Sequence, residues 1–220
     1  MFENAVALVV NKPAGLPVYP GRAGGPSIED CFPLWRRGKN GPWAVHRLDQ
    51  DTAGCLLIAR KKSFLQEAQA MMAEGAAQKI YWAVLKGVPQ AGQGCIDAPL
   101  AKVTSGRQWR MAVTADGAPA RTLWRVLGTD AGCALVEFTL LTGRTHQIRA
   151  HAAHLGHPVQ GDPVYGDGKG AMCLLARSLS LPTSMPVTAL APVPAHMQQA
   201  VQACLGIELQ KAGEKADNKT

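Results

Sequence analysis

Short apolar segments rich in β-branched residues recur along this chain of 220 residues, and each one stops at a turn. Four of them span residues 6–10, 55–59, 80–85 and 133–141. Asn11-Lys12-Pro13 follows the first segment, and Gly87 follows the third. Runs of this length between Gly and Pro are typical of strands, and they are too short to span a membrane. We therefore expect a sheet as the framework of the fold.

Fewer segments have the apolar spacing of helices. The first opens at Ser63, where Gln66 predicts a capping box, and Gly75 suits its C-terminal cap. Two more are predicted at residues 145–155 and 194–205. Asp116-Gly117 predicts a hairpin between residues 109–114 and 120–127, and a late strand is expected at residues 172–181. Because strands outnumber helices and form hairpins, the predicted class is α+β, with a mixed, mainly antiparallel sheet and flanking helices.

Composition limits the choice of partner. The chain has 23 Lys+Arg against 16 Asp+Glu, a formal net charge of +7 and a pI near 9.3. This excess favours a polyanion such as RNA, because binding releases condensed counterions. Six cysteines form no Cys-x-x-Cys pair, which argues against a zinc ribbon or a disulfide framework and for a reducing compartment.

The organisation along the chain is expected to be simple. One catalytic domain is predicted over residues 1–210, followed by a disordered tail at residues 211–220, which has no apolar periodicity. The N-terminus lacks the features of a secretory signal. We therefore expect a cytoplasmic protein that does not insert into membranes.

The segment His46-Arg47-Leu48-Asp49 lies between a predicted strand and the apolar run at 55–59. Thr52 and Gly54 follow it and permit a tight turn. A carboxylate next to cations is suited to act as a nucleophile, since the cations hold it ionised. The alternative is a surface turn in which Asp49 caps a backbone amide and Arg47 is solvated.

A second candidate is Thr142-Gly143-Arg144-Thr145-His146-Gln147-Ile148-Arg149, at a predicted strand-to-helix junction. Gly143 allows a bend and Thr145 can cap the helix, so Arg144 is presented where amide groups also point. An RNA phosphate or the Asp49 carboxylate would fit there. The alternative is an ordinary helix start with both arginines in solvent.

A third candidate is Tyr81, in Lys79-Ile80-Tyr81-Trp82-Ala83. Strand alternation places Tyr81 on one face of the strand and the more apolar Ile80 and Trp82 on the other. The Tyr81 ring is then free to stack on a base, or its hydroxyl to move a proton. An ordinary strand tyrosine with a bonded hydroxyl is the alternative.

The histidines near the second candidate do not form a convincing metal site. His151, His154 and His157 share a helix face only loosely, and Gly156 with Pro158 ends the helix before the last of them. No acidic partner gives a His-Glu-x-x-His pattern, so no metal is expected.

Together, and in this order, these motifs resemble the RluA family of pseudouridine synthases, with agreement from about Val9 to Leu181. Asn11-Lys12-Pro13-Ala14-Gly15 resembles the opening element, and the Asp49 segment resembles the catalytic loop. Lys79 to Ala83 resembles the tyrosine strand. The segment 142–151, with Gly156-His157-Pro158, Gly161-Asp162 and Tyr165-Gly166, resembles the arginine motif.

The resemblance implies the pseudouridine synthase fold, with two halves around a central cleft, and an isomerase that acts on uridine in structured RNA without a cofactor. It implies Asp49 as the nucleophile, Arg144 as the cation paired with it and Tyr81 stacked on the uracil. Arg47 would fill the gap left by the flipped nucleotide or hold a phosphate. The remaining RNA contacts are expected from His46, Lys79, Thr145, His146 and Arg149.

Two positions depart from the family pattern. Ala53 stands where Ser is commoner, and Leu175 stands where His is frequent, which puts the floor of the pocket in question. The extra N-terminal RNA-binding domain of many relatives is not expected, so the catalytic fold, expected to be a monomer, would grip a stem-loop of tRNA or large-subunit rRNA itself. Two rivals are a glycoside hydrolase using Asp49 and Asp51, and an RNA-binding relative without activity.

Overall fold

The structure, a computed structural model, describes residues 1–21, 24–106 and 108–207. Its strands are β1 (Phe2–Glu3), β2 (Ala7–Lys12), β3 (Trp43–Ala44), β4 (Ala53–Ala59), β5 (Gln78–Lys86), β6 (Gln93–Asp97), β7 (Leu100–Ser105), β8 (Gln108–Val113), β9 (Arg121–Asp130), β10 (Cys133–Leu140), β11 (Leu174–Leu181) and β12 (Val187–Leu190). Its helices are α1 (Phe32–Trp35), α2 (Lys62–Ala73), α3 (Gln147–His154) and α4 (Ala195–Cys204), and a 3-10 turn covers Ile28–Cys31. The tail predicted at residues 211–220 lies outside the described residues.

Within the described residues, ten strands form one sheet in the order β1-β2-β4-β11-β5-β10-β9-β6, with β3 beside β4 and β12 beside β11. The pairing of β4 with β11 is parallel, and the other pairings of this sheet are antiparallel. The predicted α+β class with a mixed, mainly antiparallel sheet is confirmed. Strand β11 joins the two halves of the sheet, because it lies between β4 and β5.

Both faces of the sheet are buried, and the cores on them differ. On one face, Leu57, Val84 and Leu175 belong to a cluster that also contains residues of α2 and α4. The opposite face carries two clusters. One contains Phe138 and residues of α3, and the other contains Leu56 and residues of the first 60 positions. Tyr81 packs against both of these clusters and so lies at their boundary.

Gly54 shows why the parallel pair β4–β11 needs a glycine. Its φ of +110° lies in a region that other residues rarely adopt, and a Cβ there would approach the carbonyl oxygen of Ala176 to 2.3 Å. Gly54 therefore lets β11 lie close to the strand that follows the Asp49 turn.

Two predictions of local structure are wrong. Asp116-Gly117 does not connect paired strands: β8 pairs with β7, whereas β9 pairs with β10 and β6. The capping box at Ser63 is absent because the N-cap of α2 is Lys61, two residues earlier, and the Lys61 side chain makes no capping bond. The Gly75 cap is confirmed, with φ of +78° and a bond from the Ala76 amide to the Met71 carbonyl.

Across residues 1–21, 24–106 and 108–207, no helix is long and apolar enough to cross a lipid bilayer.

Candidate active site

Asp49 lies in a four-residue turn that leads into β4. The Thr52 amide donates to the Asp49 carbonyl at 3.1 Å and closes the turn. Ahead of the turn, the Val45 amide donates to the Leu57 carbonyl at 2.9 Å, so the segment is tied to the strand that it enters. The side chain of Asp49 is 19 % exposed at the bottom of a cleft. Local hydrogen bonding thus fixes the backbone and leaves the carboxylate for tertiary contacts.

Lys12 holds this turn in place through its buried side chain. The sequence motif that contains Lys12 did not predict this role. Its side chain is fully buried, and Nζ donates to the carbonyls of Pro13, Leu16 and Gln50 at 2.8, 2.7 and 2.8 Å. Burial lowers the pKa of Lys12 to about 8, although the negative charges of Asp51 and Asp49 act to raise it. Three carbonyl acceptors require three N–H donors, so the ammonium form makes these bonds at neutral pH.

The cation that contacts Asp49 is Arg149, and this corrects the pairing expected for Arg144. Nη1 of Arg149 is 3.2 Å from Oδ2 of Asp49. The same guanidinium holds Asp162 through Nε at 2.7 Å and Nη2 at 2.9 Å. Burial disfavours the charged form of Arg149 and acts to lower its pKa. The two carboxylates outweigh this effect, so the pKa of Arg149 lies above its ordinary value. Arg149 is only 4 % exposed, and its guanidinium is held by Asp49 and Asp162.

Asp162 completes the support of Arg149. It is fully buried, and its Oδ1 also accepts hydrogen bonds from the amides of Val164 and Tyr165 at 2.8 and 3.0 Å. Burial acts to raise the pKa of Asp162, but the bonds from Arg149 and these amides lower it overall. Gly161-Asp162 is one of the motifs that resemble the RluA family. The structure adds that the Asp162 carboxylate orients Arg149.

Tyr81 lies in the same cleft as Asp49. Its ring packs against both clusters on this face of the sheet. It is therefore partly covered, whereas strand alternation predicted a ring without such packing. Burial, followed by the charge of Asp49, raises the pKa of the Tyr81 hydroxyl. The phenol form is therefore strongly favoured at neutral pH.

His146 sits between the Asp49 carboxylate and two aromatic rings. Its Nε2 is 3.8 Å from Asp49 Oδ2, and its Nδ1 is 3.1 Å from the Tyr165 hydroxyl. Its ring stacks on that of Trp109. Its backbone has a φ of 52°, a strained value for a residue with a side chain. Burial lowers the pKa of His146, although Asp49 opposes this, so the ring is neutral at pH 7.

Arg144 lies at the rim of the cleft rather than at its base. Its side chain is exposed, and Nε donates to the Pro119 carbonyl at 3.0 Å. Gln147 holds this turn: its Oε1 accepts from the Arg144 amide at 2.9 Å and from the Thr142 hydroxyl at 2.8 Å. Helix α3 starts at Gln147, two residues later than predicted, so Arg149 lies in its first turn facing Asp49 and Arg144 lies in the loop before it.

The other residues predicted to bind RNA occupy different positions. Arg47 is exposed at the cleft, and Thr145 is exposed beside Arg144. Lys79 is half-buried, and burial lowers its pKa. His46 Nε2 instead accepts a hydrogen bond from the Leu57 amide at 3.1 Å, so this nitrogen is used within the protein.

The change at Leu175 leaves the cleft intact. Leu174 lines the cleft, whereas Leu175 is fully buried in the cluster on the opposite face of the sheet. His151 is also fully buried, between the Thr122 hydroxyl and the Ala98 carbonyl at 2.9 Å each. Among the described residues, no group of three or more His, Cys, Asp or Glu side chains could hold a metal ion.

The arrangement is a single carboxylate held by a buried guanidinium, beside a neutral phenol and a neutral imidazole, under a rim of exposed cations. Such a carboxylate can act as a nucleophile or accept a proton, while the rim attracts a phosphate.

Comparison with known proteins identifies the family of this chain. The sequence pattern of the RNA pseudouridylate synthase family matches residues 6–154. The chain belongs to this family. The resemblance to pseudouridine synthases is thereby confirmed, and with it the enzyme class, an RNA isomerase.

Individual relatives agree with this assignment. An uncharacterized RNA pseudouridine synthase of Zymomonas mobilis is 42 % identical over 207 residues, which are 88 % of this chain and 93 % of the relative. Ribosomal large subunit pseudouridine synthase D of the same organism is 37 % identical over 190 residues, 82 % of this chain but only 59 % of that relative. The structure of human RNA pseudouridylate synthase domain containing 4 covers 94 % of this chain and 93 % of its own, with a TM-score of 0.80 and 24 % identity, which confirms the fold.

Proposed function

We propose that this chain isomerises a uridine in structured RNA to pseudouridine, with Asp49 as the nucleophile. The observation that carries the proposal is the Asp49–Arg149 contact at 3.2 Å in a cleft that Tyr81 also lines. Arg149 occupies Oδ2, and no hydrogen bond to Oδ1 is present among the described residues, so Oδ1 is the oxygen available to substrate. The catalytic domain is proposed to extend over residues 1–210.

The reaction requires only groups that this chain supplies. The N1–C1′ bond of uridine breaks, the uracil turns, and a bond forms between C5 and C1′. The proton on C5 passes to the Asp49 carboxylate or to water, and N1 gains a proton from water, so the product is an isomer and no cofactor is needed. Asp49 attacks C1′ or assists formation of a glycal, and both routes use an ionised carboxylate. The Arg149 guanidinium contacts that carboxylate and orients it.

Tyr81 is assigned to stacking on the uracil. Because burial and the charge of Asp49 disfavour its phenolate, the hydroxyl is a poor acceptor for the C5 proton. An aromatic ring against the base also contributes binding energy without carrying charge into the cleft.

The RNA is proposed to approach over the rim of the cleft. Arg47 and Arg144 are exposed there, and their long side chains can move aside and then hold phosphates. Flipping costs least for a base in a loop, so the target is expected in a stem-loop.

The relative named for the large ribosomal subunit supports rRNA as a substrate, and tRNA is the second candidate. We expect the protein to act as a monomer in the cytoplasm.

The test uses total RNA from a strain that lacks the gene. The RNA is incubated with purified protein, and pseudouridine is mapped by carbodiimide treatment and primer extension across tRNA and rRNA. The wild-type protein is expected to produce new stops, and Asp49→Asn none. Asp51→Asn is the matched control, because it removes a carboxylate from the same turn and should retain the stops.

Two outcomes would overturn the proposal. Stops that persist with Asp49→Asn would show that another group is the nucleophile. RNA binding by the wild-type protein without any new stop in either RNA class would favour the RNA-binding relative without activity.

A further inference from the structure

The β7–β8 hairpin carries an exposed tryptophan next to the Asp49 cleft. Trp109, on β8, is 42 % exposed, although large aromatic side chains are mostly buried in soluble proteins. Its ring centroid is 5.0 Å from that of His146, with the two planes inclined by 20°. Since His146 Nε2 is 3.8 Å from Asp49 Oδ2, a single ring separates Trp109 from the candidate nucleophile.

A hydrogen bond ties the hairpin to Tyr165, and through Tyr165 to His146. The Met111 amide donates to the Tyr165 hydroxyl at 2.9 Å, and this hydroxyl contacts His146 Nδ1. Met111 is two residues from Trp109 on the same strand, so both side chains project from the same face of the hairpin. The distance from Trp109 to the cleft is therefore set by the fold and not by a free loop end.

A groove beside Trp109 has room for a nucleotide. Its cavity of about 790 Å³ is lined by Trp109 and Arg110 on one side and by Pro163 and Val164 on the other. Lys102, on β7, is exposed, and its Nζ lies 4.8 Å from the centroid of the Trp109 ring. Trp109 and Arg110 thus give the groove an aromatic ring and a cation, and Lys102 places a second cation over the same ring.

We propose that this groove binds an unpaired nucleotide next to the target uridine, with its base stacked on Trp109 and its phosphate held by Arg110 and Lys102. An aromatic ring with neighbouring cations is the combination that binds single-stranded RNA. The flexible Lys102 side chain leaves the ring as the base arrives and follows the phosphate. The placement beside the target uridine rests on the function proposed for Asp49, but stacking on Trp109 needs no catalysis.

Equilibrium binding of two labelled probes tests the stacking. One probe is an oligouridylate of about ten nucleotides, and the other is the same sugar-phosphate chain without bases. We expect Trp109→Ala to weaken binding of the oligouridylate roughly 5- to 100-fold and to leave the base-free probe unchanged. Trp109→Phe keeps an aromatic surface and should restore most of the affinity. Thermal unfolding of each variant checks that the fold is retained.

A charge variant separates stacking from phosphate contact. Arg110→Gln should weaken both probes alike and reduce the salt dependence of binding, by about one unit in the slope of log K against log salt. Lys61→Gln, an exposed cation after β4, is the control and should change neither.

The proposal is overturned if Trp109→Ala binds the oligouridylate as the wild type does, or weakens both probes equally. Because binding is measured without turnover, a wild-type protein that makes no pseudouridine but shows the Trp109 effect would reject the function and keep the groove. Pseudouridine formation by the wild type, with no effect of Trp109→Ala on binding, would keep the function and reject the groove.

Discussion

At the scale of single residues, the site depends on how one guanidinium is divided between two carboxylates. Asp162 takes Nε and Nη2 of Arg149, and the remaining Nη1 faces Asp49. A buried arginine needs such partners, because the loss of hydration is larger than the gain from one contact. Asp162 therefore makes it possible for a buried cation to stand beside the candidate nucleophile.

Arg149→Lys should impair both catalysis and folding. An ammonium cannot contact Asp162 in a fork and reach Asp49 as well, so we expect kcat to fall about 100-fold. Loss of the paired geometry around buried Asp162 should reduce the free energy of unfolding by about 3 kcal/mol. Single-turnover rates and urea unfolding measure the two effects.

Arg144→Lys is the comparison variant, with the same chemical change at the exposed rim. It should raise KM while leaving kcat and stability near the wild-type values, because the Arg144 side chain makes one bond to a carbonyl and none to Asp49. A larger loss of kcat in Arg144→Lys than in Arg149→Lys would restore the pairing that the sequence predicted.

At the scale of elements, the site is assembled from a turn, a strand and a helix start. The turn carries Asp49, β5 carries Tyr81, and the first turn of α3 carries Arg149. Gln147 and Lys12 hold the loops between these elements through carbonyl and amide contacts. Side chains that bond to backbone in this way determine where the reactive groups point.

Lys12→Met should release the Asp49 turn. The carbonyls of Pro13, Leu16 and Gln50 would lose their buried donor, and we expect a loss of about 3 kcal/mol in the free energy of unfolding. Because Gln50 adjoins Asp49, kcat should fall as well. Urea unfolding and turnover at saturating RNA are the measurements.

Lys62→Met, an exposed lysine at the start of α2, serves as the control and should behave as wild type. Wild-type stability and kcat in Lys12→Met would show that the turn holds its shape without the buried ammonium.

The sequence predicted the elements that contain a continuous apolar run, and it missed those that do not. Strands β4, β5 and β10 were predicted because their residues are apolar over most of their length. Strand β6, Gln93–Asp97, contains one buried residue, Ile96, and so offers no run to recognise. Without β6 and β7, β8 had no visible partner, and Asp116-Gly117 was assigned to a hairpin.

The site shows the same limit. Asp49, Tyr81 and the arginine motif were identified from their residue types and order. The choice between Arg144 and Arg149 depends on which side chain the tertiary packing turns towards Asp49, and the residue types of the motif do not encode this. Trp109 and Tyr165 join the site only through the folding of distant segments, which no local spacing encodes.

At the scale of the whole molecule, burial of neutral histidines makes the fold sensitive to acid. His46 accepts a bond from the Leu57 amide, and His151 lies between Thr122 and Ala98. Burial lowers the pKa of His46 to about 4, and it also lowers the pKa values of His146 and His151. Protonation would place a charge where each ring now accepts a hydrogen bond or is shielded from water.

The sign of the pH dependence follows from these directions. An unfolded histidine titrates near 6.5, so below that pH the unfolded chain binds protons that the folded chain refuses. The stability due to His46 is thus complete above about pH 6.5 and is lost as the pH falls towards 4. We expect this residue to account for about 2 kcal/mol of the loss between pH 7 and pH 4.

His46→Gln tests this contribution, because the glutamine oxygen can still accept from the Leu57 amide but cannot be protonated in this range. Urea unfolding at pH 7 and pH 4.5 should show a smaller loss of stability in His46→Gln than in the wild type. His154→Gln changes an exposed histidine and should leave the wild-type loss unaltered. Equal losses in His46→Gln and the wild type would mean that His46 is protonated in the fold without penalty. That result would assign the acid sensitivity to His146 and His151.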